Sequence, residues 1–236
     1  MEKNFIAVDI ETTGLSPIKD KIMEIGAIGV MDGEIVEKYS QLIDPKVELS
    51  ERITNLTGIT NEMLENKPEQ KMVIHEFYEF AGELPLLGHN ILFDYSFLKT
   101  ALAIEKISFE RKGIDTLAIS RVLHEDLESK SLEHMCNYYG IINENHHRAY
   151  EDAVTAYKLY QELAKHEKAT QQILAAKPLM YKPKKIEPIT PKQKNYLNDL
   201  IKYHRIEFKQ SIETMTKSEA SRAIDNILFQ YGRKNP

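Results

Sequence analysis

The sequence predicts an α/β protein, a mixed sheet covered by helices with a small helical module behind it. Three observations carry that prediction. Residues 5–10, FIAVDI, are apolar on both faces, as a central strand must be. Two strand-like runs follow around an Asp-Gly, and beyond them strands alternate with helices. Near the C-terminus, a stretch rich in Pro and Lys gives way to two capping-box helix starts.

Residues 21–30 (KIMEIGAIGV) and 34–44 (EIVEKYSQLID) read as strands, joined in a hairpin at Asp32-Gly33. The polar stretch ELSERITNLTGITNEMLENKP then predicts short helical turns. Residues 69–82 place Val73, Phe77 and Phe80 at helical spacing and stop at Gly82 and Pro85. ELPLLGHN (83–90) reads as a short buried strand. Residues 91–104 follow as a helix, with Phe93, Phe97 and Ala101, and also Leu98 and Leu102, at helical spacing. Further helices are expected at 116–124, at 132–139 between Ser131 and Gly140, and at 148–166.

This reading gives a main domain over 1–170, a basic Pro/Lys linker over 171–189 and a small helical module over 190–236. Thr190-Pro191 with Gln193, and Thr216 with Glu219, mark the helix starts of the module. The net charge of −5 conceals an asymmetry. Residues 1–176 carry 18 Lys and Arg against 30 Asp and Glu, while residues 177–236 carry 13 against 6. A net of −12 on the body and +7 on the tail suggests a partner held by the tail: nucleic acid, or a replication or repair protein.

Hydrophobic residues make up 42% of the chain, enough for a real core, and 28% are charged. No apolar run approaches the roughly 20 residues that span a bilayer, so no membrane partner is expected. The chain enters a strand within a few residues of Met1, which leaves no room for a signal peptide. Cys136, alone of its type, excludes an intramolecular disulfide and reads as a small core residue. A cytoplasmic protein is expected.

The chemistry begins at Asp9 and Glu11. Side chains alternate along a strand, so these two carboxylates share a side and lie a few ångströms apart. Charges so placed require that one be neutral or that something positive sit between them. Two more acids stand where core residues are expected. Asp94 falls near the start of the 91–104 helix. Asp152 lies between Ala149 and Ala156 on a face that continues through Tyr160 and Leu163. Carboxylates suit the hard cations Mg²⁺ and Mn²⁺, and a divalent ion between Asp9 and Glu11 resolves the repulsion.

VDIETTG, HNILFDYSFL and HHRAYEDA, in that order, resemble the three motifs of the DEDDh, or DnaQ-like, 3′–5′ exonuclease family. The resemblance spans about residues 3–166 and includes ITNLTGITNEML. It is closest to the proofreading exonuclease domains of PolC-type polymerases and of the polymerase III epsilon subunit. It implies a ribonuclease-H-like fold, a central mixed sheet of five strands with helices around it. It also implies hydrolysis of nucleic acid from the 3′ end, with release of nucleoside 5′-monophosphates. Two Mg²⁺ or Mn²⁺ ions per site are implied. By the resemblance Asp9 bridges both, Glu11 and Asp152 hold the ion beside the attacking water, and Asp94 serves the second. His147 matches the general base.

Spacing adds a constraint on the base. Residues five apart on a regular helix diverge by about 140°, so His147 and Asp152 cannot face one site from a continuous helix, and His147 is expected in the preceding loop. Neutral imidazole has about the right basicity to take a proton from water near pH 7. His146 reads as an exposed loop residue, because the spacing back from Asp152 selects His147. His89 reads as structural or close to substrate. His75, His124, His134, His166 and His204 read as surface positions, and Asp115 as the N-cap of a helix starting at Thr116.

The resemblance places Thr12, Thr13, Gly14 and Leu15 along the terminal nucleotide. There Gly14 would allow close backbone approach and Leu15 would pack on the base. Asn90 and Phe93 are expected to line the same groove, with a core position as the alternative for Phe93. The expected substrate is nucleic acid with a 3′ end, single-stranded DNA favoured. The alternatives are an exoribonuclease of the same family and a non-catalytic nucleic-acid or replisome-binding protein. The TTG after Glu11 resembles proofreading domains more than oligoribonucleases.

Overall fold

The computed structural model describes residues 1–142, 148–184, 187–208 and 211–233, apart from the side chain of Thr214, in two compact units, 1–183 and 184–236. In the first, strands β1 (Phe5–Thr12), β2 (Ile22–Met31) and β3 (Glu34–Leu42) form an antiparallel meander. Helices α1 (Glu51–Thr57), α2 (Asn61–Leu64) and α3 (Gln70–Ala81) follow, then β4 (Leu86–Gly88) and α4 (Leu92–Ile104). Strand β5 (Lys112–Asp115) leads into α5 (Thr116–Leu123), α6 (Leu132–Tyr139), α7 (Ala149–Leu163) and α8 (Gln171–Leu174). Strand β6 (Lys177–Pro178) completes a sheet of order β3-β2-β1-β4-β5-β6, with β1, β4 and β5 parallel to one another.

Strand β1 is central because both of its faces are apolar. Ile6, Val8 and Ile10 enter one core with Val73, Phe77, Tyr95 and Leu98 of α3 and α4. Phe5 and Ala7 enter the other with Ile119, Met135, Tyr160 and Leu163 of α5 to α7. Helix α7 is seated directly on β2. A Cβ at Gly26 would lie 2.0 Å from the backbone nitrogen of Tyr150, so only glycine permits this approach.

The sheet has six strands where five were expected, and the sixth lies in the stretch read as a linker. Lys177-Pro178 pairs antiparallel with Lys112-Gly113 at the sheet edge, where a proline lacking an N–H is tolerated. Leu179 and Tyr181 pack on the first core, and the Tyr181 hydroxyl lies 3.3 Å from that of Thr100. Composition concealed this, because prolines and lysines alternate with the few side chains that dock. Of 171–189, residues 171–183 therefore belong to the first unit. Lys185 lies outside the described residues.

The second unit pairs α9 (Pro191–His204) with α10 (Lys217–Tyr231), and both helices open in capping boxes at Thr190 and Thr216. Leu197, Leu200, Met215, Ala220, Ile224 and Ile227 form its core.

Candidate active site

Asp9 and Glu11 project from β1 on the face of Phe5 and Ala7, and the first turn of α7 brings Asp152 to the same place. Ligand oxygens of the three lie within 4.8 Å of one another, and all three residues are half-buried. The β1–β2 register shifts between Glu11 and Thr12, so the regular strand ends just past the second acid. Asp94 comes from the first turn of α4 and is buried, with Oδ1 accepting the Ile10 N–H at 3.1 Å. The β1–β4 ladder ends at Ala7, and Asp94 serves an amide beyond it.

Electrostatics sets these groups apart. Burial, followed by Asp94, Asp152, Glu11 and Glu24, pushes the Asp9 carboxyl well above the ordinary carboxylate range. Burial, then Asp152 and Glu24, pushes Glu11 up to about 8, opposed by Arg148. Asp94 rises to about 8 through burial, against the pull of backbone hydrogen bonds. Acids so arranged hold protons at neutral pH unless a cation replaces them. An all-oxygen donor set half open to solvent fits Mg²⁺ or Mn²⁺, which keep water ligands.

The loop after β1 is tied by its own bonds. The Thr12 hydroxyl donates to Gly14 O at 2.6 Å, and Lys21 N donates to the Thr13 hydroxyl at 2.9 Å. A Cβ at Gly14 would meet the Asp20 carboxylate at 2.6 Å. Glycine at 14 therefore serves loop closure, since Asp20, which also accepts from Ser16 N at 2.8 Å, fills that space. Leu15 is 84% exposed at the turn. Asn90 sits in the left-handed region at φ 71°, its N–H donating to Asp115 Oδ1. Phe93 is half-buried against Phe97, with ring centroids 5.1 Å apart. His147 and His146 lie outside the described residues.

Asp115 caps α5, accepting from Leu117 N and Ala118 N. His89 is a tie, with Nδ1 2.9 Å from the Thr116 hydroxyl and Nε2 2.8 Å from Lys130 O. His124 departs from its surface expectation. It is buried, with Nε2 2.6 Å from the Tyr139 hydroxyl and its ring edge-on to His166. Its aromatic neighbours, brought together only by the fold, account for the difference. Cys136 is buried as expected.

Two residues escaped the sequence reading. Glu24 of β2 stands opposite Glu11 in register and is 1% exposed. It accepts from Arg148 Nη2 at 2.7 Å and Nε at 3.1 Å. The available signal was a lone charge inside the otherwise apolar run IMEIGAIGVM.

A mixed sheet whose central strand ends in clustered carboxylates places a candidate divalent-cation site at the end of β1. The chain belongs to the exonuclease family, whose RNase T model matches residues 6–160. It is similar to the PolC-type DNA polymerase III of Thermotoga petrophila, 45% identical over 156 residues, which cover 64% of this chain and 11% of that one. The PolC-type enzyme of Clostridium perfringens is 41% identical over 152 residues, 64% of this chain and 10% of that one. The chain thus spans about a tenth of the length of these relatives. Among solved structures, Exonuclease X in complex with 5′ overhanging duplex DNA is 25% identical, with a TM-score of 0.59. That match covers 72% of this chain and 96% of the other. Escherichia coli Exonuclease I in complex with a dA16 oligonucleotide shares the fold, with a TM-score of 0.63 at 17% identity over 73% and 42% of the two chains. Among the described residues, no helix is long and apolar enough to cross a membrane.

Proposed function

We propose that this chain is a metal-dependent exonuclease that removes nucleotides from the 3′ end of DNA, single strands favoured, and releases nucleoside 5′-monophosphates. The observation that carries the reading is the Asp9, Glu11 and Asp152 cluster, three carboxylates within 4.8 Å at the end of the central strand. Two Mg²⁺ or Mn²⁺ ions held there would supply positive charge to the scissile phosphate, the attacking water and the leaving 3′ oxygen.

The protein's own groups do the rest. Asp9, Glu11 and Asp152 would hold the ions, and Asp94, which fixes the Ile10 amide, would complete the set. His147 takes the proton of the attacking water. Leu15, exposed at the turn, packs on the terminal base, and Thr12, Thr13, Gly14, Asn90 and Phe93 line the path of the last nucleotide. The overhanging duplex bound by Exonuclease X and the oligonucleotide bound by Exonuclease I support DNA as the polymer. The 184–236 unit supplies a second hold on the strand. It carries 11 Lys and Arg against 6 Asp and Glu, with Tyr196, Tyr203, Phe229 and Tyr231 exposed for base stacking.

The test is degradation of end-labelled strands with Mg²⁺ or Mn²⁺. A 5′-labelled single-stranded DNA should shorten one nucleotide at a time. Immediate release of the 5′ label as a mononucleotide would reverse the polarity, and faster loss of RNA than DNA would move the assignment to an exoribonuclease.

A further inference from the structure

Helix α7 begins without a side-chain cap of its own. Its N-cap is Arg148, whose side chain makes no capping bond. The first amide of the helix is nonetheless satisfied, because Ala149 N donates to Glu24 Oε2 at 3.2 Å. An ordinary cap is a neighbour in the chain, whereas this one arrives from β2. The same carboxylate takes both the Nε and Nη2 protons of Arg148, the forked geometry that fixes orientation as well as distance. Glu24 is directly opposite Glu11, and Gly26, which bears the α7 backbone, is directly opposite Asp9. The turn that carries Asp152 is therefore tied to the segment of β2 that faces the other two carboxylates.

We propose that Glu24 and Arg148 are a positioning pair that locks the first turn of α7, and with it Asp152, at the spacing from Asp9 and Glu11 that a divalent cation needs. This rests on the metal-dependent reading above. Neither residue is required to hold the helix on the sheet, because Ala153, Ala156, Leu159, Tyr160 and Leu163 bury its length. A buried ion pair adds little net stability over other ways of filling the same space. What the pair adds is precision: metal sites tolerate errors of about 0.5 Å, and groups that orient ligands are worth about 10–100-fold in metal affinity.

The test uses the full chain with Glu24→Gln, Arg148→Lys, Arg148→Ala and the Glu24→Gln/Arg148→Ala double variant, and Asp9→Asn as the reference for a lost site. Mn²⁺ affinity is measured by calorimetry, and amide hydrogen exchange at residues 149–152 is measured without metal. Each variant should bind Mn²⁺ about 10–100-fold more weakly. Arg148→Lys should group with Arg148→Ala, because charge without the fork does not orient the carboxylate. The double variant should be no worse than the worse single, as for two halves of one device. Exchange should rise in the first turn of α7 and stay unchanged in its later turns.

Wild-type Mn²⁺ affinity in Glu24→Gln and Arg148→Ala would overturn the proposal, as would wild-type affinity in Arg148→Lys alone. Faster exchange along the whole helix would also overturn it, by showing a general structural role. If Asp9→Asn bound Mn²⁺ as the wild type does, the metal reading itself would fall, and the pair's role with it.

Discussion

The backbone amide of Ile10, between Asp9 and Glu11 in the chain, donates to Asp94 Oδ1 at 3.1 Å. The fourth carboxylate is thereby tied to the strand that carries the first two. Asp94→Asn keeps an acceptor oxygen for this amide, whereas Asp94→Ala leaves it buried and unpaired, at a cost of about 1–3 kcal/mol. The expected outcome is loss of nuclease activity in both variants, with loss of stability only in the alanine variant. Chemical denaturation alongside an activity assay checks it.

The metal-free protein should be less stable at pH 8 than at pH 5. Glu11 rises from 4.5 to about 8 and Asp94 from 3.8 to about 8 on folding. The native state therefore holds protons that the unfolded chain has lost, and their contribution is complete below pH about 4 and fades as pH climbs to about 8. Mg²⁺ or Mn²⁺, replacing those protons, should restore the melting temperature most at the alkaline end. Melting curves from pH 5 to 8.5 with EDTA, with and without added metal, test this. A metal-free melting temperature that rises steadily across that range would refute it.

His147→Ala should lower turnover by about 10²–10⁴-fold while leaving Mn²⁺ affinity near wild type. His146→Ala should do far less. Single-turnover rates for the two variants decide the assignment, and the reverse order of effects would transfer the role to His146.

Much of this was legible beforehand because it rests on local pattern. The Asp9 and Glu11 pair follows from the period of a strand, and the hairpin at Asp32-Gly33, the Asp115 cap and the boxes at Thr190 and Thr216 follow from cap and turn chemistry. What escaped depends on contacts between distant segments. The bond between Glu24 and Arg148 joins residues 124 apart in the chain, and the burial of His124 depends on Tyr139 and His166. Strand β6 has only two residues, one a proline, and no periodicity can announce it. Asp20 behind Gly14 is likewise a matter of loop closure, which spacing along the chain does not encode.

Removing residues 184–236 should leave cleavage of a very short oligonucleotide nearly unchanged. The cut falls after Pro183 because β6, Leu179 and Tyr181 belong to the first unit. Binding to longer strands should weaken, and its dependence on salt should flatten as phosphate contacts are lost. Affinity titrations at several salt concentrations give the answer. Equal affinity and equal slope for the two forms would point to a protein partner for the tail.

The central claim is that the carboxylates of β1 and α7 work through bound metal, and Asp9→Asn tests it most directly. The substitution removes an acid whose ionised form is disfavoured by burial and by Asp94, Asp152, Glu11 and Glu24, so the metal-free variant should be at least as stable as the wild type. The measurement is the rate of mononucleotide release from a 3′-labelled single strand in saturating Mn²⁺, with folding verified by melting. The account predicts a fall of at least about 10³-fold in a fully folded variant. A folded Asp9→Asn protein that cleaves within about tenfold of the wild-type rate would contradict it.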